Sequence, residues 1–545
     1  VKTSQSIPAA PVVTLRQECV WVGCIATLLS FVALGYCMRH GMLLLFGDAV
    51  AHLHIARRLG DSLYPGFRQL GSVWLPLPHL LMYPFAQSMH LWQTGLAGAP
   101  PSMMAYILAA AGMYRLTRFA LSPALSVLAV VMFALNPGLL YMQTTAMTEP
   151  IFLAEMIWGA IFVTQHGIAS TWERSEDRDR TMRYALLGAT LVLFAAVYTR
   201  YDGWVYAALG WCILAWNTFR SGSFRERSGG WFFVCTTVLL AAPLCWLAYN
   251  AKQFGDPLDF IRGPYSARAI DARTSAHGPG HYPGWHRMPV ALLYYLKAGE
   301  LNVTTYWLTD LALVGALAGT FFAIRAKRGM LAPMLLFWLP VPFYTYSISY
   351  GSVPLFLPRW YPHGWYNTRY GMEMLPVFAL SYAWLTAAGV VWLRKRRARS
   401  IPTFLVTAGA LFAINNAVIL RERPLVLGEA VVNSQTRIPF EKALARELDS
   451  LPPSGLILMN SADHVGALQD AGIPLQRTIN DGDWLLWQHA LAAPAQSARF
   501  VVALEGDPVA AAVKAHPGDL RLLDIICSTG QPCARVYVST IRRRF

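Results

Sequence analysis

The sequence predicts a polytopic α-helical membrane protein with a C-terminal soluble α/β domain, on three observations. Only 14% of the 545 residues are charged and 55% are hydrophobic, whereas an ordinary soluble domain carries roughly 25% charged residues. Apolar runs of about 18 to 22 residues recur through the first three quarters of the chain, each long enough to cross a bilayer. After about Arg421 these runs stop, and short strand-like and helix-like pieces alternate.

The formal net charge of +15 would suggest nucleic acid in a soluble protein. Here Lys and Arg sit mainly in short loops between apolar runs, where they orient the chain by the positive-inside rule. Membrane lipids are therefore the expected partners of this charge, through anionic head groups, and nucleic acid is not.

Residues 1 to about 18 are polar, with Lys2 and Arg16, and are expected in the cytoplasm. The first span runs from about Val20 to Tyr36 and lacks a small-residue cleavage site, so it is expected to remain as an anchor. A polar loop follows, FGDAVAHLHIARR, Phe46 to Arg58. It leads into GSVWLPLPHLLMYPF, where Pro76, Pro78 and Pro84 disfavour a straight helix. That piece is a re-entrant segment, a surface segment or a broken span.

The chain then goes in from about Ser102 to Arg115 and Arg118, and returns to the breaker cluster Asn136-Pro137-Gly138. A short outer loop carries Thr148-Glu149-Pro150. The next turn of the chain is the mixed-charge loop Trp172 to Arg183. Tyr198 to Trp204 is the next outer corner, and Arg220, Arg225 and Arg227 the next inner one. A long outer loop from about Lys252 to Arg287 holds His277, His281 and His286. Further inner clusters are Arg325, Lys327 and Arg328, then Arg394 to Arg399. Between them Ser349 to Gly371 lies outside, and Ile401 to Leu420 is the last span.

This gives about 11 to 12 transmembrane helices in a domain over 1–421, with outer loops at about 41–75, 251–300 and 350–368. The basic clusters fall on one side; Asp48, Glu149, Arg200 and the His-rich loop fall on the other. The expected location is the bacterial inner membrane, with the active site and the domain 422–545 extracytoplasmic. In that domain GLILMN, ARFVVAL, LRLLDII and ARVYVS read as buried strands, and FEKALARELDSL, HVGALQDAG and PVAAAVKAH as helices. A partly parallel sheet is expected, and without a Gly-rich loop after a strand no nucleotide is assigned. Of the eight Cys, six (Cys19, Cys24, Cys37, Cys212, Cys235 and Cys245) lie in or beside apolar runs and read as buried, inert thiols. Cys527 and Cys533 can pair if the tail faces an oxidising compartment.

Asp48 stands at the membrane edge. A carboxylate there can act as a general base toward a hydroxyl acceptor; the structural alternative is a helix N-cap. Glu149 is a second outward acid at a membrane edge. The two could share an acceptor or a divalent cation, or Glu149 could simply suit the first turn of a helix. Arg200 in YTRYDGW and Arg369 in YNTRYG run against the positive-inside trend. A guanidinium forks onto phosphate oxygens, so a lipid phosphate would account for them; an interfacial anchor or a local Arg200–Asp202 pair would also do so. Arg58 is a third candidate for the phosphate, or a solvated residue. His52, four residues after Asp48, shares its helical face. His52, Tyr201, Asp202, His281 and Tyr370 are candidate acceptor or substrate contacts. No CxxC pair is present, and the loop histidines have no fixed metal spacing, so no metal ligands are assigned.

In order, FGDAVAHLHIARR, GSVWLPLPHLL, TTAMTEPIF, YTRYDGW and NTRYGMEMLP resemble the GT-C glycosyltransferases, the superfamily of protein O-mannosyltransferases and the aminoarabinose transferase of lipid A. The resemblance covers about residues 46 to 376. It implies a GT-C fold, a polyprenyl-phosphate-linked sugar as donor, and inverting transfer on the outer face to a glycan, lipid or protein acceptor. It maps the first-loop acid onto Asp48 and the second outer acid onto Glu149, with Arg200 and Arg369 steadying the departing phosphate. O-mannosyltransferases pair two adjacent acids in the first loop, whereas Ala49 follows Asp48 here. No WWD-like motif of the metal-dependent oligosaccharyltransferases is present, so no cofactor is expected. The rival reading is a transporter or flippase of lipid-linked sugars, which would place polar residues at the midplane and show repeats.

Overall fold

The computed structural model describes residues 14–225, 227–277 and 281–541. The membrane part begins with α1 (Leu15–Arg39), whose N-terminus Thr14 and Gln17 close as a capping box. Four short helices or less regular turns follow it: α2 (Gly47–Arg58), α3 (Leu77–Ala86) and α4 (Met89–Thr94), with a 3-10 turn at Phe67–Leu70. Then come α5 (Ala99–Thr117), α6 (Pro123–Ala134), α7 (Pro137–Met142), α8 (Glu149–Ala169), α9 (Glu176–Thr199), α10 (Tyr201–Arg220) and α11 (Arg227–Phe254). The expected outer loop after α11 is folded into α12 (Asp259–Arg262), α13 (Ala267–His277) and α14 (Met288–Val303). Within it, residues 278–280 and the side chain of His277 lie outside the described part. The bundle closes with α15 (Thr309–Ala326), α16 (Leu331–Trp338), α17 (Pro340–Tyr350), α18 (Leu375–Arg396) and α19 (Ile401–Glu422).

Among the described residues, nine helices are long and apolar enough to cross a membrane, fewer than the 11 to 12 expected. The expected return span before Asn136 is the 12-residue α6, short of the roughly 20 residues a span needs. The 20-residue α10 has the length but falls outside the hydropathic set. The proline-rich piece is the pair α3 and α4, of 10 and 6 residues, and neither can span. α1 packs antiparallel on α5 and α8 antiparallel on α9, joined by Arg118–Glu18 and Thr199–Glu155, while α5 and α8 run parallel, with Ser102 beside Met147 and Arg115 beside Gln165. Consequently Asp48, Glu149, Arg200 and Asp202 all sit at helix ends at one end of the bundle. Arg118 lies at the other end, paired with Glu18 near the start of α1 at 3.1 Å.

α20 (Leu425–Ser450) leads from the bundle into the tail. The tail holds a mixed sheet in the order β2-β1-β3-β5-β4, with β1 Ile457–Met459, β2 Thr478–Ile479, β3 Phe500–Leu504, β4 Leu520–Ile526 and β5 Ala534–Ser539. β1 pairs in parallel with β2 and β3, while β5 is antiparallel to β3 and β4. Three of the four expected strands are largely buried. LRLLDII is not: β4 is an edge strand whose Leu522, Leu523 and Ile525 are exposed. Cys527 and Cys533 form a disulfide beside it. The expectation of buried thiols holds for Cys37 and Cys235, while Cys24, Cys212 and Cys245 face outward from their helices.

The tail is docked on the first loop. Asp61 accepts hydrogen bonds from the backbone of Leu475 and Gln476 at 3.1 and 3.2 Å. Arg437 donates to the carbonyls of Leu44 and Leu45 at 2.7 and 3.1 Å. These bonds hold α20 against the segment that carries Asp48.

Candidate active site

α2 starts at Gly47, with Phe46 as its N-cap and no side-chain capping bond. The Asp48 carboxylate is thus in the first turn, favoured there by the helix dipole, but is not spent on capping. Instead its Oδ2 lies 2.5 Å from Nη2 of Arg369. Arg369 is buried, and each of its nitrogens faces an acid. Nη1 donates to Glu429 Oε1 at 3.0 Å, and Nε lies 3.2 Å from Glu149 Oε1. Arg200 is the second hub. Its Nη1 reaches Glu149 Oε1 at 3.2 Å and Thr148 Oγ1 at 3.0 Å. Nε pairs with Asp202 at 3.1 Å, and Nη2 meets Tyr344 Oη at 2.7 Å and Glu373 Oε1 at 3.3 Å. Glu149 Oε1 therefore bridges the two guanidinium groups. The Tyr370 ring lies between them as well, with Cζ of Arg369 and Arg200 at 5.0 and 5.2 Å from its centroid, within cation–π range.

Local backbone builds this geometry. Asn367 holds a left-handed φ of 58°, which Asn tolerates better than most residues. That turn points the Asn367 and Thr368 N–H groups at the Glu429 carboxylate, at 2.9 and 2.8 Å, and the Thr368 hydroxyl adds a bond of 2.6 Å. Gly371 lets the turn press against α14, where a Cβ would collide with the Ala298 backbone. Arg369 is thereby aimed by a residue of α20 as well as by its own loop.

Five carboxyl groups, of Asp48, Glu149, Asp202, Glu373 and Glu429, surround two guanidinium groups. Tyr344 links two of these acids. Its Oη lies 2.7 Å from Asp202 Oδ2 and 2.7 Å from Glu373 Oε1, while accepting from Arg200. One hydroxyl donates once, so it serves one of the two carboxyls at a time. Burial is uneven. The side chains of Glu149 and Glu429 are 1% exposed, whereas Asp48 is 42% exposed. Asp48 is the acid of the cluster that an incoming molecule meets.

His52 is one helical turn beyond Asp48. Its Nδ1 is hydrogen-bonded to Nε2 of His79 at 2.8 Å, and its ring packs on Trp74 at 4.4 Å. Burial, and then the positive charges of Arg369 and Arg200, push His52 down to about 3, so this imidazole is neutral. Three further candidates lie elsewhere. Tyr201 donates to the Val73 carbonyl at 3.0 Å and stacks on Phe260. Arg58 donates to the Gln69 carbonyl at 2.5 Å and faces Asp481 and Asp483 of the tail. His281 stacks on Trp285 and lies 4.0 Å from Asp271. None of the three touches the acid–arginine cluster. Among the described residues no group of three or more His, Cys, Asp or Glu side chains is arranged to hold a metal ion.

Sequence reading missed Tyr344, Glu373, Glu429 and His79. Glu373 carried a signal, as an acid inside an apolar run four residues after Arg369. Glu429 carried none, because its partner Arg369 is 60 residues away in the chain.

A helical bundle of this kind, with charged helix ends under a docked α/β tail, defines a polytopic helical membrane protein with a C-terminal α/β domain. In particular, the structure is similar to ArnT from Cupriavidus metallidurans bound to undecaprenyl phosphate, with a TM-score of 0.54 and 13% identity over 95% of this chain and 97% of that one. ArnT in the apo state gives 0.52 at the same identity and coverage. The archaeal oligosaccharyltransferase AglB from Archaeoglobus fulgidus gives 0.45, at 11% identity over 90% of this chain and 69% of that one. No protein-family model and no curated protein matches the sequence. The ArnT-like fold extends along nearly the whole chain, and the likeness is one of fold.

Proposed function

We propose that this protein transfers a sugar from a polyprenyl-phosphate donor to a hydroxyl of an envelope glycan, lipid or protein, on the outer face of the bacterial inner membrane. The observation that carries the proposal is the half-exposed Asp48 carboxylate against the Arg369 guanidinium, in a fold shared with a protein solved with undecaprenyl phosphate. The side assignment rests on the positive-inside distribution of Lys and Arg.

In this reading the acceptor oxygen attacks the anomeric carbon from the face opposite the phosphate, with inversion. The acceptor proton goes to Asp48. The bond from the anomeric carbon to the phosphate oxygen breaks, and its electron pair leaves with the polyprenyl phosphate. Arg369 neutralises the charge that grows there. Arg200, whose donors all face Asp202, Glu149, Glu373, Thr148 and Tyr344, holds the second acid in place and acts on the phosphate at longer range. Asp202 and Tyr370 complete the cluster wall, and the neutral His52 offers a hydrogen-bonding ring beside it.

The test is reconstitution in liposomes with radiolabelled polyprenyl-phosphate sugars and fractionated envelope acceptors. Donor consumption that disappears in Asp48→Asn is expected. Full activity in a folded Asp48→Asn protein, or no consumption of any polyprenyl-phosphate sugar by the wild type, rejects the proposal.

A further inference from the structure

We infer that the donor phosphate and Asp48 compete for one edge of Arg369, so that donor binding is what releases the base. This rests on the reading above and adds an order of events to it.

Arg369 has one replaceable partner. Glu149 and Glu429, each 1% exposed, hold its Nε and Nη1 sides. Removing the cation from Glu429 would leave a buried carboxylate uncompensated, which is strongly unfavourable, and Glu149 is fixed in place between Arg369 and Arg200. Glu429 is further pinned by the Asn367 and Thr368 backbone. Asp48, on the Nη2 side, is 42% exposed, and Oδ2 to Arg369 is its hydrogen bond in the cluster. It can turn into water without stranding a charge. The Nη2 edge is thus where an anion can reach this guanidinium, and an anion arriving there meets Asp48 already in place.

A phosphate oxyanion and a carboxylate at one edge repel each other. The phosphate, with more acceptor oxygens, takes Nη2, and Asp48 swings free. In its pair with Arg369 the Oδ2 oxygen of the carboxylate is occupied by a guanidinium N–H. Set free, that oxygen can accept the proton of the acceptor hydroxyl. After it takes the acceptor proton it is neutral and no longer competes, so the polyprenyl phosphate product stays on Arg369. Asp48, 42% exposed, then passes that proton to bulk water, returns as a carboxylate to Nη2 and displaces the product. The donor binds first, and product release follows deprotonation of the base.

The experiment measures binding of undecaprenyl phosphate to full-length protein in nanodiscs at neutral pH. Asp48→Asn and Asp48→Ala, at a half-exposed position, both remove the competing charge. Each is expected to bind roughly tenfold tighter than wild type, about 1.4 kcal/mol, although transfer is lost. Arg369→Lys is expected to weaken binding, and in that background Asp48→Asn is expected to bring much less gain. If wild type binds the lipid, Arg369→Lys weakens it, and the two Asp48 variants bind no tighter, the competition is overturned while the functional proposal stands. If wild type binds the lipid no better than Arg369→Lys, both are overturned.

Discussion

Two pairs of arginines in this chain are buried with opposite consequences. Arg57 and Arg58 end α2 and are held mostly by neutral groups. Arg57 pairs with Asp61 at 2.7 Å, donates to the Ala86 carbonyl at 3.0 Å and covers the Trp92 ring at 4.6 Å. Arg58 donates to the Gln69 carbonyl. Arg200 and Arg369 are held by an excess of carboxyls, one of them half-exposed. Carbonyls and a ring face satisfy a guanidinium without adding net charge, which suits an anchor between the first loop and the tail. A surplus of acids at a cation, by contrast, leaves one acid available to be exchanged. The composition of the shell, rather than the presence of a buried arginine, separates the anchoring site from the chemical one.

The largest expected effect is at the chemical pair. Arg369→Gln should lower transfer by roughly 10²- to 10³-fold, the scale of losing one preorganised charge-stabilising group, measured as labelled product per folded molecule. If Arg57→Gln costs as much activity per folded molecule, the contrast between the two pairs fails. Arg57→Ala should instead act on stability. Breaking a buried pair costs about 3–5 kcal/mol, read as a fall in Tm in detergent, with transfer by the surviving folded protein retained. Glu429→Gln sharpens the comparison, because it changes only how Arg369 is aimed. Loss of a charged hydrogen-bond partner is worth ~1.5–3 kcal/mol, so kcat/KM should fall about 10- to 100-fold; Glu429→Ala should do no less.

The smallest expected effect concerns pH. His52, His54 and His79 are buried between the two arginine pairs, and all three are held below their ordinary value of 6.5, first by burial and then by neighbouring positive charge. Their folded forms are neutral, so below pH about 6.5 the unfolded chain binds more protons than the folded one. Stability contributed by these groups is present above that pH and is lost as pH falls through it. The Tm should therefore drop between neutral and mildly acidic pH, and His79→Gln should flatten that drop. A Tm independent of pH over this range would show that the histidines are not the buried neutral pair and neighbour described here.

Much of the site was legible along the chain because membrane composition makes charges conspicuous. Asp48, Glu149, Arg200 and Arg369 stood out against apolar runs, at ends of spans where charge needs a reason, and Asp202 stood beside Arg200 in the same corner. Those five do meet in one cluster. Of the candidates chosen for residue type near a membrane edge, Tyr370 lies between the two guanidinium groups, whereas Tyr201 packs on Phe260, Arg58 turns to Gln69 and His281 stacks on Trp285. A side chain's direction at a helix end depends on what packs there, which periodicity does not encode.

The sequence by itself determined the membrane class, the change of composition after about Arg421, and the charged helix ends, since these follow from local hydropathy and from charge that a bilayer excludes. Only the tertiary structure decided that Arg369 is shared among Asp48, Glu149 and Glu429, that Tyr344 joins Asp202 to Glu373, and that α20 reaches back to brace the site. These contacts join residues far apart in the chain. They come from packing and hydrogen-bond direction, so no local pattern specifies them.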